Sequence, residues 1–301
     1  MQNYYYSRLS LLEKKAYERI VCAIKNRLTE VKVNMIFSNA EVLNIIKAVR
    51  FEHPEFFFVD FNQLRYYKTT LGYIWQIGYL FNDTIQNMIE LEIEREATNI
   101  LCNLKHNGNC CELINARAIH NYLVKNISYD YDALANPGAF PESFSIYGVL
   151  CKKKAVCEGV SKAFKYLCDK VGVDCIIVSG TASLESIGQN LSHAWNIVNI
   201  QNDYVHIDVT WDIGVSQLCQ RNRYDYFCIS DSWIGKDHVY TELPQCTSYT
   251  YSYFYNKNLL FRNLTEVKKY CVSEFNKKNN VLYFKIIGEK LPKGSTDKNQ
   301  V

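Results

Sequence analysis

Ser192-His193-Ala194-Trp195-Asn196-Ile197-Val198-Asn199-Ile200 runs into Gln201-Asn202 and then into Asp203-Tyr204-Val205-His206-Ile207-Asp208-Val209-Thr210-Trp211-Asp212. Two runs rich in β-branched and aromatic residues, parted by two polar residues, spell an antiparallel hairpin with a two-residue turn. With Gln201 and Asn202 in the turn, Ile200 pairs with Asp203, and the register is fixed outward from there. His193 then falls opposite Thr210 and Trp195 opposite Asp208, which makes Asp208 the diagonal neighbour of His193 on one sheet face, within hydrogen-bond reach. A one-residue slip would send the two side chains to opposite faces. The second strand is expected to run from Tyr204 to Trp211.

Upstream, Ala155-Val156-Cys157-Glu158-Gly159-Val160-Ser161 opens a segment whose apolar residues Ala163, Phe164, Leu167 and Val171 keep helical spacing. The spacing predicts a helix over 156–171 with Cys157 in its first turn, where unpaired N–H groups and the macrodipole favour a thiolate. Gly159 lets another chain or a substrate approach that turn closely. A cysteine on an apolar helix is by itself more often core than nucleophile. Cys157, His193 and Asp208 together are the parts of a cysteine-nucleophile acyl-transfer site: thiol, base, and a carboxylate that fixes the imidazole tautomer. His206 competes for the role of base and is read as structural or substrate-side. Asp212 replaces Asp208 only in a shifted register. Trp195 and Trp211 read as core aromatics, with Trp195 also placed to wall the site.

Apolar spacing predicts two opening helices, Ser10 to Thr29 and Glu41 to Val49, followed by a strand pair, Gln63–Lys68 and Tyr73–Phe81, with Gly72 near the turn. Asn82 or Asp83 caps a long helix to about Leu104. The turn cluster His106-Asn107-Gly108-Asn109 is the candidate boundary: a smaller, mostly helical module with a β-hairpin over 1–106, a catalytic domain over 107–290, and a disordered tail over 291–301. A helix is expected over 112–126, a loop over 130–141, and strands near Cys175–Val178 and Leu282–Ile287. Tyr249, Tyr251, Tyr253 and Tyr255 alternate as in a strand with one aromatic face, read as core ahead of a subunit contact or a substrate platform.

The chain of 301 residues carries a formal charge of +3, from 34 basic and 31 acidic residues, and offers no electrostatic reason to expect nucleic acid or an anionic membrane as partner. Hydrophobic residues make up 48% of it, which fits a packed globule. The first residues lack a secretory pattern and no stretch nears ~18 uninterrupted apolar residues, so the expected address is cytoplasmic. The 12 cysteines are read mostly as buried, reduced thiols. There is no C-x-x-C pair, Cys110 and Cys111 are adjacent, and calcium-loop, P-loop and dinucleotide fingerprints are absent, so no metal or cofactor is called for.

From about His120 to Asp212 the chain resembles the transglutaminase-like cysteine enzyme superfamily, in its bacterial branch. The resemblance is carried in order by Asn126-Ile127-Ser128-Tyr129-Asp130, Tyr147-Gly148-Val149-Leu150, Val156-Cys157-Glu158-Gly159, His193-Ala194-Trp195-Asn196 and Asp208-Val209-Thr210-Trp211-Asp212. It implies a papain-like α+β core, with the nucleophile helix packed on an antiparallel sheet, Cys157 as nucleophile, His193 as base and Asp208 as orienter. Val160-Ser161 departs from the family's usual aromatic-then-small pair. The implied chemistry is thiolate attack on an amide of a protein or peptide, a thioester, and transfer to water or an amine. The Cys157 N–H is the first oxyanion donor, and Tyr147, Glu158 and Trp195 are further candidates for oxyanion or substrate contacts. Hydrolysis is slightly favoured over cross-linking. The alternative is a non-catalytic protein- or peptide-binding module on the same fold, whose signature, loss of a triad member, is not seen. Oligomeric state is not legible.

Overall fold

The computed structural model describes residues 3–102, 111–184, 189–241, 243–279 and 281–287. The turn cluster 106–109 and the tail 291–301 lie outside them. The two opening helices are Leu11–Lys25 and Asn39–Glu52, each started by a capping box in which serine and glutamate, Ser10 with Glu13 and Ser38 with Glu41, satisfy one another's backbone N–H groups. Between them lies a strand, Glu30–Val33, that the periodicity did not announce. It pairs with Gly72–Tyr79, which pairs in turn with Val59–Thr69. Gly72 turns this hairpin at φ +150°, and a Cβ there would meet the Val33 carbonyl oxygen at 2.1 Å. Asn82 caps the helix Asp83–Leu101 through the Ile85 N–H.

After the helix Cys111–Asn126, the chain builds a five-stranded antiparallel sheet. Its strands lie in the order His238–Val239, Cys175–Leu184, Gln189–Ile200, Asp203–Ile207, Phe227–Ile229. The helix Cys157–Lys170 packs across its two long central strands. This is the α+β arrangement expected. Phe164 and Leu167 lose all their exposed surface in that packing, each worth roughly 1.5–3 kcal/mol of apolar burial. The main apolar core is continuous from Ile20 and Val49, through Phe57 and Ile93, to Phe164, Val198 and Ile213. A second cluster around Trp195 and Trp233 fills the other sheet face.

The hairpin register is as read: Ile200 pairs with Asp203 and Asn196 with Ile207, and Gln201 and Asn202 both adopt positive φ, at 51° and 72°, as a two-residue primed turn requires. The second strand stops at Ile207, however, four residues short of Trp211. Asp208 instead caps a helix, Val209–Cys219, by accepting the Trp211 N–H at 3.1 Å. The local hydrogen bond of an N-cap aspartate overrides the β propensity of Val209, Thr210 and Trp211. His193 is therefore not paired with Thr210, nor Trp195 with Asp208.

Other expectations also change. The segment 130–141 is not plain loop: it holds a helix, Tyr131–Ala135, and two 3-10 turns, Pro137–Ala139 and Pro141–Phe144, each with proline at its start. The tyrosine-rich segment is not a strand. Ser252 accepts the Tyr255 N–H and starts the short helix Tyr253–Asn256, leaving Tyr249 and Tyr255 exposed and burying Phe254 instead. Near 282–287 only Lys285–Ile286 pairs, parallel to Leu260–Phe261, and the helix Leu264–Asn276 was not foreseen. Cys168, Cys175, Cys228 and Cys246 are buried, but Cys22 and Cys102 are exposed and Cys151, Cys157, Cys219 and Cys271 half-buried, so most described thiols are not core. None of these is in a disulfide. No helix among the described residues is long and apolar enough to cross a membrane.

Candidate active site

Cys157 is the first residue of its helix. Val156 occupies the N-cap with no side-chain cap, so the first-turn N–H groups are not taken by one. Two segments clamp this start. On one side Ser128-Tyr129 lies parallel to Lys154-Ala155, with Tyr129 paired to Ala155, two residues before the thiol. On the other, Val156 N–H donates to the Ser143 carbonyl at 3.1 Å, and Gly159 sits so close to the same strand of backbone that a Cβ would meet Ser143 O at 2.4 Å and Ser145 O at 3.2 Å. This close approach is what Gly159 was expected to permit. Asn196, on the central strand, ties the sheet to the helix by donating to Ser161 O at 3.1 Å.

The structure brings Cys157, His193 and Asp208 together. His193 Nε2 meets Asp208 Oδ2 at 2.7 Å, and the imidazole lies close enough to the Cys157 side chain to feel it electrostatically. His193 is 9% exposed and Asp208 has no exposed surface. Burial disfavours the imidazolium, but Asp208, with a smaller contribution from Cys157, outweighs it and raises the His193 pKa to about 10. Burial likewise opposes the Asp208 charge, yet His193 and then His238 hold its carboxyl well below the usual range.

Tyr129 lies beside this group, although in the sequence it stands out only as part of a motif. Its phenol is largely buried beside Cys157, and burial and then the thiol push its pKa well above that of a free phenol. The edge of the Tyr129 ring meets Tyr131, which is 72% exposed. The second unforeseen partner is His238, whose Nε2 meets the same Asp208 Oδ2 at 3.1 Å.

The remaining candidates take other partners. Glu158 turns toward the N-terminal helices. Its two oxygens accept from Arg50 Nε at 2.6 Å and Nη2 at 2.5 Å, and Lys162 Nζ adds an ion pair at 2.8 Å. Burial opposes the Glu158 charge, but Lys162 and Arg50 lower its pKa to about 2. Tyr147 packs against Phe57 and Phe81. Trp195 has no exposed surface: its indole stacks on His193 at 5.8 Å and donates to His206 Nδ1 at 3.1 Å. That bond fixes the His206 tautomer, so Nε2–H donates to Asp231 Oδ1 at 2.9 Å. His206 is thus a buried strut behind Trp195. Asp212 pairs with His120 at 2.9 Å, away from His193, and burial raises its pKa to about 6 against the pull of His120.

Among the described residues two groups bring potential metal ligands within 4.8 Å of one another, His193 with Asp208 and His238, and His206 with Asp231 and Cys246. The contacts of 2.7, 2.9 and 3.1 Å within them are hydrogen-bond lengths, shorter than the ~3.3 Å between neighbouring ligands on one tetrahedral zinc.

A thiol at a helix start, an imidazole and a buried carboxylate, held on an α+β core, define a cysteine-enzyme type of site. Residues 106–209 match the model of the transglutaminase-like superfamily. The chain is 25% identical over 173 residues to the kyphoscoliosis peptidase of Mus musculus, a match covering 50% of this chain and 26% of that protein. It is 27% identical over 110 residues to the Homo sapiens kyphoscoliosis peptidase, covering 35% of this chain and 16% of that one. The chain thus spans about a quarter or less of these relatives. Among solved structures, a TGase matches with a TM-score of 0.34 at 14% identity, over 49% of this chain and 43% of its own.

Proposed function

We propose that the protein is a cysteine-nucleophile acyl-transfer enzyme acting on amide bonds of a protein or peptide. The observation that carries this reading is the 2.7 Å bond between His193 and the buried Asp208, made beside the Cys157 side chain, with the thiol on an uncapped helix start. His193 takes the thiol proton, and the sulfur attacks the carbonyl carbon. The resulting oxyanion accepts hydrogen bonds from the Cys157 N–H and from Tyr129, in place of the upstream Tyr147. His193 then gives its proton to the leaving amine, the C–N bond breaks, and a thioester remains. Water or an amine, deprotonated by His193, attacks the thioester, and the thiol is regenerated. Asp208 stays ionised throughout and holds the imidazole in place.

Hydrolysis is the favoured second half. The name of the curated relatives, peptidase, supports it. Two measurements test the proposal. Iodoacetamide alkylation of Cys157, followed by peptide mass spectrometry, is expected to outpace that of Cys22 and Cys102 near neutral pH and to collapse in His193→Ala. Slow alkylation that ignores the substitution overturns the enzyme reading and favours a binding module. With a casein or peptide-library substrate, release of new termini in water identifies a hydrolase, whereas incorporation of labelled cadaverine identifies a transferase.

A further inference from the structure

His238 lies 30 residues beyond Asp208, on the edge strand that pairs with Thr181 and Ala182. It is 2% exposed, and its ring is walled by Trp195 at 4.8 Å, Trp211 at 4.5 Å and Tyr226 at 5.8 Å. Its Nε2 meets Asp208 Oδ2 at 3.1 Å and its Nδ1 meets Asp237 Oδ1 at 2.5 Å. A carboxylate only accepts, and a neutral imidazole has only one N–H. In the neutral ring one nitrogen lone pair would face a carboxylate oxygen, inside a site with little water to separate them. Both nitrogens must therefore donate, and the ring between two carboxylates is charged.

We propose that His238 is a positioning residue of the acyl-transfer site, a second imidazolium that pins the Asp208 carboxylate and restrains the basicity of His193. The inference rests on the reading of Cys157, His193 and Asp208 given above. Two consequences follow from the geometry. Asp208 Oδ2 accepts from His193 on one side and His238 on the other, while Oδ1 accepts the Trp211 N–H, so the carboxylate cannot rotate without breaking a buried hydrogen bond. The rings of His193 and His238 lie 5.3 Å apart, and like charges at that distance repel. A lone Asp208–His193 pair would hold its proton very tightly, and a base that cannot release its proton cannot protonate the leaving amine. Sharing the carboxylate with a second cation loosens that grip.

The charged or titratable groups facing His238 are Asp208 and His193 across the sheet, Asp237 beside it, and Tyr226, whose hydroxyl donates to Asp237 Oδ2 at 2.7 Å; His206 lies beyond the Trp195 indole. Burial disfavours a charged His238, but the bonds to Asp208 and Asp237 prevail and raise its pKa.

The test is the pH profile of Cys157 alkylation by iodoacetamide in the unaltered protein, in His238→Gln and in Asp237→Asn, with urea unfolding of each. Glutamine keeps a donor for Asp208 and removes the charge. The upper inflection, which reports His193, is expected to move up by roughly one pH unit in His238→Gln, the effect of removing a charge about 5 Å away in a partly screened site, and by less in Asp237→Asn. Inflections that stay in place while alkylation remains His193-dependent overturn this inference and leave the site reading intact. No His193-dependent alkylation in the unaltered protein overturns both. Should the glutamine variant not fold, Asp237→Asn and nitrogen-15 spectra of the histidine rings in the unaltered protein decide: at pH 7 both His238 nitrogens are expected to carry protons, and a singly protonated ring sinks the proposal.

Discussion

Replacing Glu158 with glutamine removes the anion at the centre of a three-residue cluster directly beside the candidate nucleophile. The carboxylate is 14% exposed and takes two bonds from Arg50 and one ion pair from Lys162. A pKa lowered from 4.5 to about 2 corresponds, at ~1.4 kcal/mol per tenfold, to about 3 kcal/mol of stability at neutral pH. This is an upper figure. Lys162 faces one anion and one cation, and burial lowers its own pKa despite Glu158, so the cluster as a whole gains less than Glu158 does. Because the folded-state pKa is the lower one, the contribution is fully present above pH 4.5 and is lost as pH falls through about 2. Urea unfolding of the unaltered protein and Glu158→Gln is therefore expected to differ by about 2–3 kcal/mol at pH 7, and by less than half of that at pH 3. A gap below about 1 kcal/mol at pH 7, or one equally wide at both pH values, would refute the claim that an ionised Glu158 ties the Arg50 helix to the Cys157 helix.

Gly159→Ala sets two effects against each other. Helix propensity alone favours alanine by about 1 kcal/mol, whereas a Cβ 2.4 Å from the Ser143 oxygen demands a backbone shift; a net loss of about 1–3 kcal/mol is expected in urea unfolding, and a more stable variant would contradict the close packing. For Tyr129→Phe, acylation of Cys157 by p-nitrophenyl acetate is expected to slow by ~100-fold while iodoacetamide alkylation, which develops no oxyanion, changes by less than about threefold. Equal slowing of both reactions would assign Tyr129 to the thiol and not to the oxyanion.

How far the sequence could be read depends on the range of the interaction concerned. The hairpin register follows from a two-residue turn whose chemistry is local, and Gln201 and Asn202 announce it. Asp208 tests the limit of that reasoning. The diagonal pairing correctly predicted its contact with His193, but by a geometry that does not exist, because the ladder ends at Ile207 and an N-cap aspartate places the same side chain. Val209, Thr210 and Trp211 have strand propensity, and only the carboxylate's local bond to Trp211 N–H reverses it. The alternating tyrosines fail similarly, through the single cap at Ser252. Tyr129, Arg50 and His238 reach the site from 28 residues before Cys157, 108 before Glu158 and 30 after Asp208. Two of them sit on ladders of two residues, too short to leave any periodicity.

These distant contacts share a target. The first turn of the Cys157 helix is held by the Tyr129 ladder, by the backbone of Ser143 and Ser145 against Gly159, and by Arg50 on Glu158. Its own N-cap, Val156, contributes no side-chain bond, where Ser, Thr, Asp or Asn would stabilise the helix by about 1 kcal/mol. A cap oxygen there would accept the N–H of Glu158 or Gly159 and set a partial negative charge beside the thiolate that the proposed mechanism needs. The three clamps supply the rigidity that a cap would have given without that charge, and they explain why residues ahead of position 103 share one apolar core with the site: Arg50 cannot hold Glu158 unless the helix that carries it is anchored to the same core.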